Sequence, residues 1–211
     1  TPTSATRRGL RPRGYQLQCF EQCKMRNTIV NMRTGRLLDQ AIFVGTGKTL
    51  IAVMLIDNFL QLYPNKNILF TVPTRALVEQ QSSYIKYQRD FECETWTSGK
   101  RVASFLKEKW SRILTTSNVI VATAAIDLEV FRRALVNNGF IKPDQISLLV
   151  FDECHNATGN SPMAAIMKDR IGRHYLEFSE RYAKHPSPPP RLPHILGLTA
   201  SFVHGAMSDV E

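Results

Sequence analysis

Two short stretches far apart in the chain carry residue types suited to phosphate chemistry. The first is Gly45-Thr46-Gly47-Lys48-Thr49, which opens onto the apolar run Leu50–Ile56. Glycines let backbone N–H groups approach a phosphate, and a helix N-terminus favours negative charge. Lys48 can then reach terminal phosphates, and Thr49 can hold Mg²⁺. The strict pattern also asks for glycine at position 42, where this chain has Ile42. Gly-Lys-Thr alone is therefore a weak signal. The second stretch is Ser147–Asn156, in which Leu148–Phe151, preceded by Ile146, read as a short buried strand. Asp152 and Glu153 stand where that strand would end, and strands of parallel sheets present their working residues at their carboxyl ends. By themselves these letters also suit a helix start capped by Asp152. Joined to Lys48 and Thr49, one carboxylate can hold Mg²⁺ while the other polarises an attacking water.

These residues need a scaffold that brings distant loops to one edge. The pattern predicts a helix from Tyr15 to about Arg26-Asn27 with an apolar stripe of Leu17, Phe20 and Met25, then a strand over Thr28–Met32. The run from Leu50 to Leu60 is too long for a strand and suggests a helix buried on most sides, ended by Pro64. Strands are then expected at 67–72, 93–96, 119–122, 146–151 and 194–198. Helices are expected at 74–87, 102–113, 125–135, 163–168 and 175–183. This alternation argues for α/β architecture: a doubly wound, mainly parallel sheet with helices on both faces. Pro186–Pro193 is the one biased segment. It could dock an SH3-type groove or simply connect to the last strand.

Composition sets the outer limits. The 211 residues can bury a substantial core, and 43% hydrophobic with 21% charged residues is ordinary for a globular protein. The net charge of +9 favours a polyanionic partner without requiring one. Cys19, Cys23, Cys93 and Cys154 contain no Cys-x-x-Cys pair, so free thiols in a reducing compartment are expected, the cytoplasm or the nucleus. No apolar run approaches membrane-spanning length, so no membrane partner is expected. Thr1 is not an initiator and no signal-peptide core follows, so the chain reads as a piece of something longer. Asn156-Ala157-Thr158 matches a glycosylation sequon and is read as chance.

Gly45–Thr49, Asp152–His155 and Thr199-Ala200-Ser201 resemble the first three signature motifs of superfamily 2 helicases of the DExH class, over a span from Arg13 to Val203. The stretches Ile146–Asn160 and Ile195–Ser201 are most similar to the amino-terminal helicase domain of the Dicer family, which processes double-stranded RNA. RNA-sensing and fork-remodelling helicases share the motifs less completely. The resemblance implies one RecA-like domain that binds ATP, Mg²⁺ and nucleic acid. By motif, Arg13 and Gln16 belong to the adenine-recognising segment, with Gln16 reading the base edge. Lys48 contacts the β- and γ-phosphates, Thr49 and Asp152 hold Mg²⁺, and Glu153 is the general base. His155 with Thr199, Ala200 and Ser201 couples nucleotide state to the nucleic-acid groove. Pro73, Thr74, Arg75 and the Val121-Ala122-Thr123 region touch the nucleic-acid backbone. Arg75 at a helix start suits phosphate on physical grounds too, the alternative being a solvated surface arginine. The lesser alternative for His155 is a core histidine, and the Cys154 thiol reads as packing.

Two departures stand out. Met32-Arg33-Thr34-Gly35 begins the phosphate-loop pattern and Thr46-Gly47-Lys48-Thr49 completes it, with residues 36–45 between them. Removing that segment restores Met-Arg-Thr-Gly-Thr-Gly-Lys-Thr, as expected of a retained intron or a mistaken gene model. A cradle of successive N–H groups tolerates insertion badly, so weak nucleotide binding is expected. Ala41–Val44 is also strand-like and could compete with Thr28–Met32 for a place in the sheet. Phe202 follows Thr-Ala-Ser where the family pattern has proline.

The expected organisation is a disordered basic extension over 1–14, a RecA-like domain over 15–205 with the insertion at 36–45, and a truncated end at 206–211. A second RecA-like domain and ribonuclease regions are expected in the parent chain. Two other functions remain open: a DNA-remodelling helicase, and a nucleotide-independent RNA-binding scaffold.

Overall fold

The structure is a computed structural model that describes residues 12–32, 47–97, 107–136, 145–168 and 192–200. Six parallel strands form one sheet: β1 (Thr28–Asn31), β2 (Asn67–Val72), β3 (Cys93–Trp96), β4 (Val119–Thr123), β5 (Ile146–Phe151) and β6 (His194–Thr199). Their order across the sheet is β1-β6-β5-β2-β4-β3. Helices connect them: α1 (Gly14–Met25), α2 (Gly47–Leu62), α3 (Arg75–Gln88), α4 (Lys107–Thr116), α5 (Ala124–Val136) and the short α6 (Pro162–Ala165). The α/β architecture expected from the alternation of elements is the one observed.

Strand periodicity builds the two layers. Ile68, Phe70 and Val72 of β2 join Val119, Val121, Leu148, Val150, Leu196 and Leu198 on the face covered by α1, α2 and α3. The intervening Leu69 joins Ile120, Ala122, Leu149 and Phe151 on the opposite face, under α4, α5 and α6. Every residue of the central strands β2, β4 and β5 is buried, which explains why they read as continuous apolar runs rather than alternating ones. Each fully buried Val, Leu or Ile side chain contributes roughly 1.5–3 kcal/mol. The buried Asn67 at the start of β2 donates its amide to Leu114 O and Ser117 O, 3.0 and 2.7 Å away. It thereby satisfies the carbonyl end of α4.

Helix α2 is buried on most sides, as expected, through Ile51, Ala52, Val53, Leu55, Ile56 and Phe59. Helix α1 differs from expectation. Leu17 and Met25 are 45% and 81% exposed, and the buried residues are Gln16 and Cys23. Gln16 is drawn inward by a backbone partner on α2, described below, and this outweighs the faint apolar stripe. At the sheet edge Thr28–Asn31 pairs with β6, so the position for which Ala41–Val44 could compete belongs to the earlier segment. Residues 41–44, like the rest of 36–45, the helix expected over 175–183 and the proline-rich segment before Leu192, lie outside the described residues. All four cysteines are free thiols. Among the described residues no helix is long and apolar enough to cross a membrane.

Candidate active site

Because every strand runs the same way, the segments that follow β1, β2, β4, β5 and β6 all leave one edge of the sheet. Beyond β5 the ladder continues one residue: Asp152 N–H donates to Thr71 O at 2.8 Å. Asp152 is 4% exposed. Its Oδ1 accepts from Glu153 N at 3.1 Å and its Oδ2 from Gln81 Nε2 at 2.8 Å. Burial, then the neighbouring Glu153 charge, push its carboxyl up to about 6, against the pull of the Glu153 N–H, Lys48 and Gln81. Asp152 therefore does not cap a helix. The turn after it spans only Cys154–Asn156 and has Glu153 at its cap position, without a side-chain cap.

Glu153 is the one non-glycine residue with positive φ among the described residues, at φ 49° and ψ 49°. Such a conformation costs about 1–3 kcal/mol and persists where the surroundings impose it. Here Asn156 holds it through one carbonyl: its backbone N–H and its Nδ2 both donate to Glu153 O, at 3.0 and 2.9 Å. The turned chain brings Glu153 Oε1 to 3.7 Å from Lys48 Nζ and Glu153 Oε2 to 3.3 Å from His155 Nδ1. His155 Nδ1 is also 2.9 Å from the hydroxyl of Thr199, which is fully buried at the end of β6. His155 therefore bridges two segments of the site and is no core histidine.

Lys48 lies in the first turn of α2 with its side chain 2% exposed. Its ammonium has no hydrogen-bond partner among the described residues. Thr49 beside it is buried as well. Gln16 accepts from Arg13 N at 2.7 Å and donates to Gly47 O at 3.3 Å. A Cβ on Gly47 would stand 2.6 Å from Gln16 Nε2, so glycine is what permits this approach. Arg13 itself is exposed at the head of α1. Gly45, Thr46 and Ser201 lie outside the described residues, while Ala200 is half-buried after β6.

The residues expected at a nucleic-acid backbone lie along the same edge. Pro73 is half-buried after β2, and Thr74 caps α3 by accepting from Leu77 N at 3.5 Å. Arg75 is exposed in the first turn of α3, and Thr123 is buried at the end of β4. Direct contacts join Gln16 to Gly47 and link Lys48, Glu153, His155 and Thr199 in series.

Sequence reasoning passed over three residues that shape the site. Gln81 could have been noticed as a polar residue in the buried register of α3, beside Val78, Ser82 and Ile85. Asn156 gives no comparable signal. Gly197 is explained by Cys154: a Cβ there would lie 2.9 Å from Cys154 Sγ, so the thiol packs directly on β6. Burial raises the pKa of that thiol, in keeping with packing rather than nucleophilic chemistry.

Among the described residues no group of three or more His, Cys, Asp or Glu side chains could cage a metal. The Asp152 carboxylate and the Thr49 hydroxyl, both buried, are hard oxygen donors of the kind Mg²⁺ takes alongside phosphate oxygens and water.

Comparison with known proteins bears on this arrangement. The family model described as "Type III restriction enzyme, res subunit" matches residues 9–203. Dicer-like protein 2 of Coccidioides immitis is 36% identical over 194 residues, which is 90% of this chain and 12% of that protein. Endoribonuclease Dicer of Gallus gallus is 34% identical over 206 residues, covering 95% of this chain and 9% of the relative. The crystal structure of the Pyrococcus furiosus Hef helicase domain superposes with a TM-score of 0.59 at 26% identity, over 92% of this chain and 34% of that one. The chain thus spans a small fraction of the length of its curated relatives.

Proposed function

Because the chain belongs to the family of the type III restriction enzyme res subunit, a family of helicase domains, we propose that it is the ATP-binding half of an RNA-dependent ATPase in a longer, Dicer-like protein acting on double-stranded RNA. The observation that carries this reading is the buried ammonium of Lys48, without a hydrogen-bond partner among the described residues and 3.7 Å from Glu153. With one carboxylate at 3.7 Å and no hydrogen bond among the described residues, this ammonium keeps donors for a second anion. The terminal phosphates of ATP are such an anion.

In this reading Lys48 and the N–H groups at the start of α2, with Gly45, Thr46 and Gly47, hold the phosphates, and Thr49 and Asp152 hold Mg²⁺. Bound Mg²⁺ supplies neutralisation of the charge that develops on the phosphate oxygens. Glu153 takes the proton of the attacking water on a carboxylate oxygen. His155, between Glu153 and Thr199 at 3.3 and 2.9 Å, passes a displacement of the segment Thr199–Ser201 to that carboxylate. Arg13 and Gln16 face the base. Pro73, Thr74, Arg75 and Thr123 hold the RNA backbone, supported by the net charge of +9. The domain organisation around 15–205, the insertion at 36–45, the ribonuclease regions of the parent chain and a cytoplasmic or nuclear location belong to the same proposal.

Binding of a non-hydrolysable ATP analogue by the chain and by its Lys48→Ala variant tests this. The variant is expected to lose at least ~10-fold in affinity, the scale of one charge-assisted hydrogen bond. Equal affinity overturns the assignment. Turnover is a separate matter, since an arginine from a second RecA-like domain is worth ~10³–10⁵ in rate in related phosphoryl-transfer enzymes. The isolated chain is therefore expected to hydrolyse ATP poorly, and RNA-stimulated turnover by it alone contradicts the two-domain reading. A second reading is remodelling of DNA by a helicase of the same superfamily, since a net charge of +9 suits either polyanion. Competition between double-stranded RNA and forked DNA for the chain separates the two.

A further inference from the structure

We infer that Gln81 is a positioning residue of this site: it orients the Asp152 carboxylate for a divalent cation and ties that orientation to helix α3. The inference rests on the nucleotide reading above and adds to it a residue with no assigned role.

Gln81 is 7% exposed, on the buried face of α3 with Val78, Ser82 and Ile85. A buried amide costs free energy that a leucine or methionine of similar volume would not, unless a specific hydrogen bond offsets it. That bond runs from Gln81 Nε2 to Asp152 Oδ2 at 2.8 Å. With Glu153 N on Oδ1 at 3.1 Å, each carboxylate oxygen accepts one donor from the protein. The plane of the carboxylate is thereby set, and lone-pair directions remain on both oxygens for a cation. The donor's neutrality matters as much as its position. A lysine or arginine at 81 would satisfy Oδ2 equally well but would repel the divalent ion, whereas an amide holds the carboxylate and leaves its charge uncompensated.

The same bond has a mechanical consequence. Thr74 and Arg75, assigned above to the nucleic-acid backbone, sit at the start of the helix that carries Gln81. Gln81 lies six residue steps along the α-helix from Arg75, a rise of about 9 Å. A helical segment of that length moves as a unit, so a displacement of α3 by a polyanion at its N-terminus reaches Oδ2 of Asp152 directly. This route from groove to metal site runs through α3 and is separate from the one through His155 and Thr199.

The test uses the 211-residue chain and a fluorescent non-hydrolysable ATP analogue, titrated once in EDTA and once in Mg²⁺. The readout is the ratio of the two dissociation constants. Loss of a residue that orients a metal ligand typically costs ~10–100-fold in metal affinity, so Gln81→Leu is expected to shrink the ratio by ~10-fold or more while leaving affinity in EDTA within about twofold. Gln81→Asn, whose amide falls one methylene short, is expected to shrink it as well, which keeps the inference testable if the leucine variant folds poorly. A merely structural role lowers both affinities together and leaves the ratio intact, and that result overturns the inference. An unchanged ratio in both variants, in a chain whose binding is lost with Lys48→Ala, overturns Gln81 alone. Absence of binding by the unaltered chain overturns the nucleotide reading and Gln81 with it.

Discussion

Lys48 and Glu153 face each other across 3.7 Å, yet the two sides they come from are held in different ways. On the carboxylate side the backbone is strained at Glu153 and fastened at several points. Asn156 holds the Glu153 carbonyl twice, Gln81 and the Glu153 N–H hold Asp152, and Thr199 holds His155. On the phosphate side the described structure begins only at Gly47, on the first turn of α2. There Gln16 touches Gly47 O, and the Lys48 ammonium has no hydrogen bond within the described residues. The carboxylate side is complete in itself, built from donors and acceptors of this chain. On the Lys48 side the ammonium meets one carboxylate, at 3.7 Å. Under the proposed function the difference is what the two roles ask for: a general base must be aimed before its substrate arrives, whereas a phosphate cradle is finished by the phosphate.

This contrast can be broken most decisively at Glu153. In the full-length parent, Glu153→Gln is expected to lower turnover ~10²–10⁴-fold, the usual contribution of a general base, and to leave nucleotide affinity within a few-fold. Unchanged function of the parent would instead favour the nucleotide-independent scaffold. A smaller effect is expected on the phosphate side, where the ten residues 36–45 interrupt the loop pattern. Their removal should tighten nucleotide binding by ~10-fold or more, about 1.4 kcal/mol per decade. Equal affinity with and without them sinks the idea that they damage the cradle.

A third variant probes how tightly the carboxylate side is packed. A Cβ at Gly197 would lie 2.9 Å from Cys154 Sγ and 3.2 Å from Ile29 Cγ1. Gly197→Ala is therefore expected to destabilise the fold by about 1–3 kcal/mol, the range for overpacked cores, read as a lower denaturation midpoint. Adding Cys154→Ala should recover part of the loss. Gly14→Ala, where a Cβ would meet nothing within 4 Å, is the control and should not destabilise.

The division between the two sides also governs what could be read in advance. Lys48, Asp152 and Glu153 were legible as a group because their types and neighbours suit phosphate chemistry, and Lys48 and Glu153 do stand 3.7 Å apart. Strands β2 and β5 were legible because strands buried on both faces are mostly apolar. Gln81 and Asn156 were not. Each acts through one tertiary hydrogen bond or turn contact, and nothing in its local sequence announces the partner. Helix α1 was placed correctly but its inward face was not. Leu17 and Met25 outnumber Gln16 in hydrophobic weight, yet a glycine backbone on α2 selects the amide. The ten-residue departure at 36–45 was visible in the letters, and its consequence depends on backbone geometry that letters do not encode.

The last expected effect concerns a second aspartate, on the opposite face of the sheet. Asp127 is fully buried at the start of α5 and accepts one hydrogen bond, from Thr71 Oγ1 at 2.7 Å. Its Oδ1 has no partner among the described residues. Thr71 thus links the two aspartates, its hydroxyl serving Asp127 and its carbonyl accepting from Asp152 N. Asp152 has two donors and a nearby ammonium, and its carboxyl sits at about 6. Burial pushes Asp127, which has neither the second donor nor a cation, from 3.8 up to about 8. The folded protein therefore keeps this proton where the unfolded chain has released it. Between about 4 and 8 the unfolded state binds fewer protons, so this group's contribution to stability is fully present below the lower value and is lost as pH rises through the upper one. The loss has a slope of up to ~1.4 kcal/mol per pH unit. Asparagine cannot titrate, so thermal denaturation across that range should show a smaller fall in stability for Asp127→Asn than for the unaltered chain. Parallel curves for the two proteins would mean that water or an undescribed segment supplies Asp127 with the donor that Asp152 finds in Gln81.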